Sequence, residues 1–167
     1  ISSVIRKCTA VDKTIILINP WIYDFAAFDF WIKPLGLLYI GSFLRKNGYH
    51  VEFIDCLDPW NPLMRKAVSP RTPRRFADGQ GKYFRETIAK PAALKSIPKK
   101  YHRYGLAPNI FREMLSNLPH PEMIMITSMM TYWYPGVFET VSIVKEMMPE
   151  VPVVLGGNYA TLCPQHA

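Results

Sequence analysis

The sequence predicts a doubly wound α/β fold built on a parallel sheet. Three observations carry that reading. An uninterrupted apolar run opens the ordered pattern. A strand, a helix and a second strand follow one another between residues 14 and 55. After a long irregular segment, helix, strand, helix and strand resume in the same alternation.

TIILIN, residues 14–19, is a short continuous run rich in β-branched side chains, as a strand buried on both faces requires. A loop with many aromatics follows. PLGLLYIGSFLRKNG, residues 34–48, places Leu37, Leu38, Ile40, Gly41 and Leu44 on one helical face, with Pro at its start and Gly at its end. YHVEFID, residues 49–55, alternates and ends on a carboxylate, the pattern of a second strand. Residues 14–58 therefore form a first βαβ unit.

The pattern then dissolves. Residues 59–108 hold seven prolines (Pro59, Pro62, Pro70, Pro73, Pro91, Pro98 and Pro108), which rules out one regular helix through the segment. The net charge of +7 is concentrated here. Twelve of the 20 Lys/Arg lie between Arg65 and Arg103, opposed only by Asp78 and Glu86, so the rest of the chain is slightly acidic. Tyr83, Phe84, Tyr101 and Tyr104 argue for an ordered, Pro-rich basic insertion over a free linker, because disordered segments are poor in aromatics.

Residues 109–167 are expected to complete the core. NIFREMLSNL, 109–118, reads as a short amphipathic helix, and EMIMITS, 122–128, as a third strand. GVFETVSIVKEMMP, 136–149, sets Val137, Val141, Val144 and Met148 at helical spacing. VPVVLGG, 151–157, is a fourth strand. The order β-α-β-insertion-α-β-α-β matches a flavodoxin-like (Rossmann-like) sheet. Such sheets usually have five strands, so the chain is expected to be cut before its last one.

Composition narrows the function classes. The chain is 49% hydrophobic with a mean hydropathy of +0.01, which suits a folded domain. No apolar run reaches the length of a bilayer span, and the first residues contain no signal-peptide core. Cys8, Cys56 and Cys163 are far apart and show no metal-binding spacing, the pattern of reduced thiols in a cytoplasmic protein.

Ligands of open α/β sheets bind beyond the carboxyl ends of the strands. Four ends define the expected site. The first is Asn19-Pro20-Trp21, which shapes a cofactor loop or follows from loop geometry alone. The second is Asp55 to Asp58, read as a loop cap. The third runs from Thr127 through Ser128, Met129, Met130, Thr131 and Tyr132 to Trp133. The fourth is Gly156, Gly157, Asn158 and Tyr159. None is a GxGxxG or a GxxxxGK[ST], so dinucleotides and nucleoside triphosphates are not signalled. The histidines are scattered, no HExxH occurs, and neither a metal site nor a catalytic set is expected in this chain. What remains is a binding surface. Thr127, Ser128 and Thr131 offer hydroxyls, Gly156 and Gly157 make room, and Met129, Met130, Tyr132 and Trp133 form a polarizable apolar wall. A large flat ligand with a polar tail fits that set. The aromatic stretch also fits an interface with a further domain, or plain core.

IMITSMMT resembles the third-strand motif of cobalamin-binding domains, a Ser-x-Leu with a Thr two residues beyond, here carried by Thr127, Met129 and Thr131. VVLGG resembles the glycine pair after their fourth strand. INPW, PLGLLYIGSFLRKNGYHVEFID and VPVVLGGNYATLCPQHA are similar to the N-terminal domain of B12-binding radical S-adenosylmethionine proteins, over most of the chain except the basic insertion. The resemblance implies cobalamin held by Asn19, Pro20, Thr127–Thr131 and Gly156–Tyr159. It also implies a radical S-adenosylmethionine barrel after residue 167, with its [4Fe-4S] cluster and S-adenosylmethionine, used for methyl transfer or rearrangement.

Two departures bear on this. The loop after the first strand is NPWIYDFAAFDF, without the Asp-x-His-x-x-Gly that supplies a cobalt ligand, so the resemblance implies binding without a histidine. The CxxxCxxC of the iron–sulfur cluster is absent. The alternative is a non-enzymatic interaction domain of the same fold that has lost the cofactor. Its basic insertion would dock an anionic partner or RNA, with Tyr83, Phe84, Tyr101 and Tyr104 interleaved among the cations as in single-strand binders.

Overall fold

The structure, a computed structural model, describes residues 13–68 and 72–167; Cys8, Pro70, Arg71 and the N-terminal segment lie outside the described residues. In chain order the elements begin with β1 (Thr14–Asn19), β2 (Ile22–Asp24), α1 (Leu35–Lys46), β3 (His50–Asp55) and α2 (Pro62–Val68). They continue with β4 (Arg85–Ile88), β5 (Tyr101–Tyr104), α3 (Pro108–Ser116), β6 (Met123–Ser128), α4 (Tyr134–Met147), β7 (Val153–Gly157) and α5 (Asn158–Leu162).

β1, β3, β6 and β7 form one parallel sheet in the order β3-β1-β6-β7. The fold is thus α/β with a four-stranded parallel sheet, compatible with a flavodoxin-like order. Side chains alternate across it. Ile16, Ile18, Ile54, Ile124 and Ile126 pack against Phe111 and Leu115 of α3 and Val137 and Val144 of α4. Ile15 and Leu17 point the other way and pack under Leu37 of α1, with Val51 and Met125 beside them. Helices therefore lie on both faces, but α1 alone serves its face among the described residues.

The insertion is ordered. Its strands β4 and β5 join β2 in a separate antiparallel sheet, β2-β5-β4. Tyr83, Phe84, Tyr101 and Tyr104 are buried, so the aromatics do pack. They are therefore not a surface on which bases could stack, and that part of the single-strand reading is corrected. The proline density also concealed a helix. Pro62 opens α2, where a missing N–H costs nothing, and Asn61 caps it by accepting the Met64 N–H at 3.0 Å.

A second correction concerns α1. Of the five residues expected on its inner face, Leu37 and Gly41 are buried and Leu44 is half-buried, while Leu38 and Ile40 are exposed. Only the α1 stripe that rests on Leu17 is covered.

Candidate functional site

β3 and β6 flank β1 on opposite sides, so the topological switch point lies between the ends of β1 and β6. It is nearly closed. The cavity there measures about 20 Å³ and is bounded by Asn19, Pro20, Trp21, Ser128, Met129 and Trp133, among others. That is room for a single water. The buried Ser128 hydroxyl, which has no hydrogen-bond partner among the described residues, is the group such a water would serve.

The small sheet explains the closure. Trp21, two residues after β1, is buried edge-on against Phe111 with ring centroids 5.1 Å apart, and its indole N–H donates to the Leu106 carbonyl at 2.7 Å. Leu106 in turn donates its backbone N–H to the Cys56 carbonyl at 2.8 Å. The chain leaving the insertion thereby lies across the ends of β1 and β3. Asn19 does not face a ligand, because its side-chain amide donates to Asp55 at 2.8 Å. Asp55 also accepts the Leu57 N–H at 3.0 Å and lies 3.4 Å from the Lys33 ammonium, so it organises the loop as expected. Trp133 is half-buried, packs on Ile22, Leu57, Tyr83 and Tyr104, and donates its indole N–H to Asp24 at 3.0 Å. It belongs to the join between the two sheets.

The other half of the expected site is open. Thr127 and Gly156 are register partners on β6 and β7, and Ser128 and Gly157 the next pair. Thr127 and Gly156 share the face of α1, since Ile126 on one strand and Leu155 on the other pack on the opposite side. A side chain at Gly156 would meet no atom within 4 Å. Gly157 is different. At φ +89° it seats its backbone on Ser128, where any Cβ would collide with the Ser128 carbonyl oxygen. Beyond the end of β6, Met130 is 41% and Tyr132 56% exposed, on either side of Thr131, whose turn leads into α4. Met129 is half-buried at the edge of the closed cavity, and Asn158 is exposed. Tyr159 turns inward. It is buried, and its hydroxyl lies 2.6 Å from His166 Nδ1. Burial first, then Cys163 and Tyr134, raise its pKa.

Thus Thr127 and Gly156 share one open flank, Gly157 packs on Ser128 beside them, and Met130 and Asn158 are exposed in the segments that follow the two strands. Asn19, Pro20, Ser128 and Tyr159 are taken up by the structure around it. Residues not singled out from the sequence complete the flank. Helical spacing puts Gly36, Ile40 and Phe43 on the β6 side of α1, opposite Leu38, Ser42 and Arg45, which line a cleft over Val51 and Phe53. Phe43 is 67% exposed, and Val154, next to Gly156 on β7, is 43% exposed. The signal was present in LGLLYIGSF, a helix with almost no polar face and therefore more apolar surface than one sheet contact can cover.

Electrostatics ties the small sheet to the core beside this site. Arg103 of β5 donates to Glu139 of α4 at 2.8 Å and pairs with Glu86; the Tyr23 hydroxyl donates to the same Glu139. Burial and the Glu139 charge push the Tyr23 hydroxyl's pKa far up, so it remains a donor. Among the described residues no group of three or more His, Cys, Asp or Glu side chains is placed to hold a metal ion. His50 and His120 each lie beside a carboxylate on the surface, Glu52 at 2.8 Å and Glu150 at 3.0 Å. No helix among the described residues is long and apolar enough to cross a membrane. No protein-family model, curated protein or solved structure matches the chain.

Proposed function

We propose that this chain is a cobalamin-binding domain of a radical S-adenosylmethionine enzyme, holding the cofactor at the open β6–β7 flank. The observation that carries the reading is the Thr127–Gly156 pair. The two are register partners on adjacent strands: a side chain at Gly156 would meet no atom within 4 Å, and the Thr127 hydroxyl lies beside it, where a Cβ at the neighbouring Gly157 would come within 3.0 Å. The fit is to a polar tail lying along Gly156 and hydrogen-bonded by Thr127. Met129, Met130 and Thr131 would border the macrocycle, and Gly157 and Asn158 would offer it polar groups. Ile40, Phe43 and Val154 provide an apolar side wall. The crevice between β1 and β6 does not fit any part of a corrin, because Trp21 and the small sheet fill it.

Bound cobalamin would supply methyl transfer or radical rearrangement at its cobalt; this chain's part is to hold and orient it. The loop after β1, NPWIYD, has no histidine, so protein side chains of other kinds would cover the lower face of the ring. The [4Fe-4S] cluster and S-adenosylmethionine would belong to a barrel domain after residue 167, and the setting would be cytoplasmic. The same reading gives the sheet a flavodoxin-like fifth strand beyond β7.

Hydroxocobalamin mixed with the protein and separated by size exclusion tests the proposal. Corrin absorbance should co-elute with the protein and be lost in Gly156→Leu, which fills the space without touching the core. Free corrin at every concentration, or retention undiminished by Gly156→Leu, would defeat it. A second reading is favoured by the closed switch point: an interaction domain of the same fold, without cofactor, whose apolar α1 flank and basic insertion dock partners. Failure of corrin to bind would select it.

A further inference from the structure

The insertion's cations meet exposed aromatics on a surface distant in role from the cofactor flank. The loop 25–31 and the turn 74–82 are zipped by paired backbone hydrogen bonds between Asp29 and Gly81, of 2.9 and 3.2 Å. The buried Asp29 carboxylate takes the Arg75 guanidinium at 2.5 Å and the Trp31 N–H at 2.9 Å. This clasp fixes an aromatic cluster in place. Phe28 lies 4.7 Å from Phe30 and 6.4 Å from Phe76, centroid to centroid. Beside it runs a groove of about 1070 Å³, walled by Phe28, Met64, Phe84 and Tyr104 and carrying Lys82 and Arg85.

The cations are spread along this surface and free. Arg65 stands 5.0 Å over the ring of Trp60, which is 57% exposed, and Arg74 stands 5.6 Å over Phe76. Among the described residues, Arg65, Lys66, Arg74, Lys82 and Arg85 pair with no carboxylate. The two acids of the segment offer them nothing, since Glu86 is taken by Arg103 and Asp78 by its own turn.

We propose that this surface binds single-stranded nucleic acid. Bases would stack on Trp60, Phe76 and Phe30 while phosphates meet Arg65, Arg74, Lys82 and Arg85. Repeated cations on a helix, a turn and a strand match a chain of repeated charges better than one small anion, which needs one or two. Exposed ring faces serve unstacked bases and offer nothing to a duplex, whose bases are stacked inside. The clasp holds the platform before any ligand arrives, which lowers the ordering cost of binding.

The test is fluorescence anisotropy with a labelled oligouridylate of about a dozen nucleotides, a spacing that covers several stacking positions. Binding should be saturable and fall with salt at a slope of roughly −3 in log–log form, as about four phosphate contacts to a single strand predict. Trp60→Ala and Phe76→Ala should each weaken it about tenfold or more. Arg65→Gln and Arg74→Gln should each reduce the slope by about 0.7. All four positions are exposed or half-exposed, so the fold is retained. The proposal fails if oligouridylate is not bound at low salt. It also fails if polyglutamate binds equally well and Trp60→Ala changes neither, which would mark a charge effect alone. Tighter binding of a duplex than of either strand, or saturable uptake of a long-chain fatty carboxylate with no oligonucleotide bound, would overturn it as well.

Discussion

Arg103 on β5 donates to Glu139 on α4 at 2.8 Å, and this contact joins the basic insertion to the parallel-sheet core. Both side chains are largely shielded from solvent, at 10% and 27% exposure. The second carboxylate on Arg103, Glu86, is mostly in water and adds little. Removing one member of a shielded pair strands the other, and the cost is that of an unpaired buried charge. Arg103→Met keeps an unbranched apolar chain and removes the guanidinium, with its ion pairs and its place 5.8 Å from the Trp21 ring. It should lower unfolding free energy in urea by about 2–3 kcal/mol, with Glu139→Gln costing roughly 1 kcal/mol because its Tyr23 hydrogen bond survives. The double variant should cost less than the two added together; strict additivity would mean the pair does not couple.

Neighbouring glycines at the end of β7 should respond in opposite ways. Gly157 sits at φ +89° with its backbone on Ser128, so Gly157→Ala adds both backbone strain and a collision. A loss of about 3 kcal/mol is expected, read as a large drop in Tm. Gly156→Ala meets open space and gives up backbone freedom only in the unfolded chain, so Tm should hold or rise slightly. Equal damage from both would show that the slot over Gly156 is filled.

The four parallel strands were legible because three of them are short apolar runs and the fourth, YHVEFID, alternates, the two marks that strands in a covered sheet leave. The sheet β2-β5-β4 was not. RETI and YHRY carry charges in strands of only four residues, and what lets Arg103 be buried is Glu139, 36 positions away in the chain. Pairing at that range has no local signature. Proline density likewise spoke against α2, although a proline in the first turn is compatible with a helix. At the site, Gly156, Gly157 and Thr127 were legible from strand ends alone. Trp133 was not, since its role depends on a small sheet that the pattern did not announce. Ser128 differs from Thr127 by one position, and alternation turns it into the closed cavity.

Cys56 should be inert while the protein is folded. Its side chain is fully buried, and burial first, then the nearby Asp55 and Glu139 charges, raise its thiol pKa well above the ordinary value. Thiolate is the reactive form, so both access and ionisation oppose modification. Native-state alkylation followed by peptide mass mapping should find Cys163 modified, being half-buried, and Cys56 protected until denaturant is added. Labelling of both at equal rates would mean the β3 end opens readily.

His102, in the middle strand of the small sheet, should make the fold sensitive to mild acid. Its Nδ1 is buried without a hydrogen-bond partner among the described residues. Burial first, then the Arg85 and Lys100 charges, lower its pKa below the ordinary 6.5, so the folded chain favours the neutral ring. The unfolded chain, titrating near 6.5, therefore takes up a proton that the folded chain refuses. Below that pH the unfolded state binds more protons, and stability must fall as pH drops through the window between 6.5 and the lower folded value; above 6.5 the contribution is intact and flat. Replacing the ring by an apolar one of similar shape removes both the proton uptake and the unmet polar atom. His102→Phe should accordingly raise stability by about 1 kcal/mol near neutral pH and by more in acid, and flatten the pH profile in that window. An unchanged acid slope in chemical denaturation of His102→Phe would place the sensitivity on other groups.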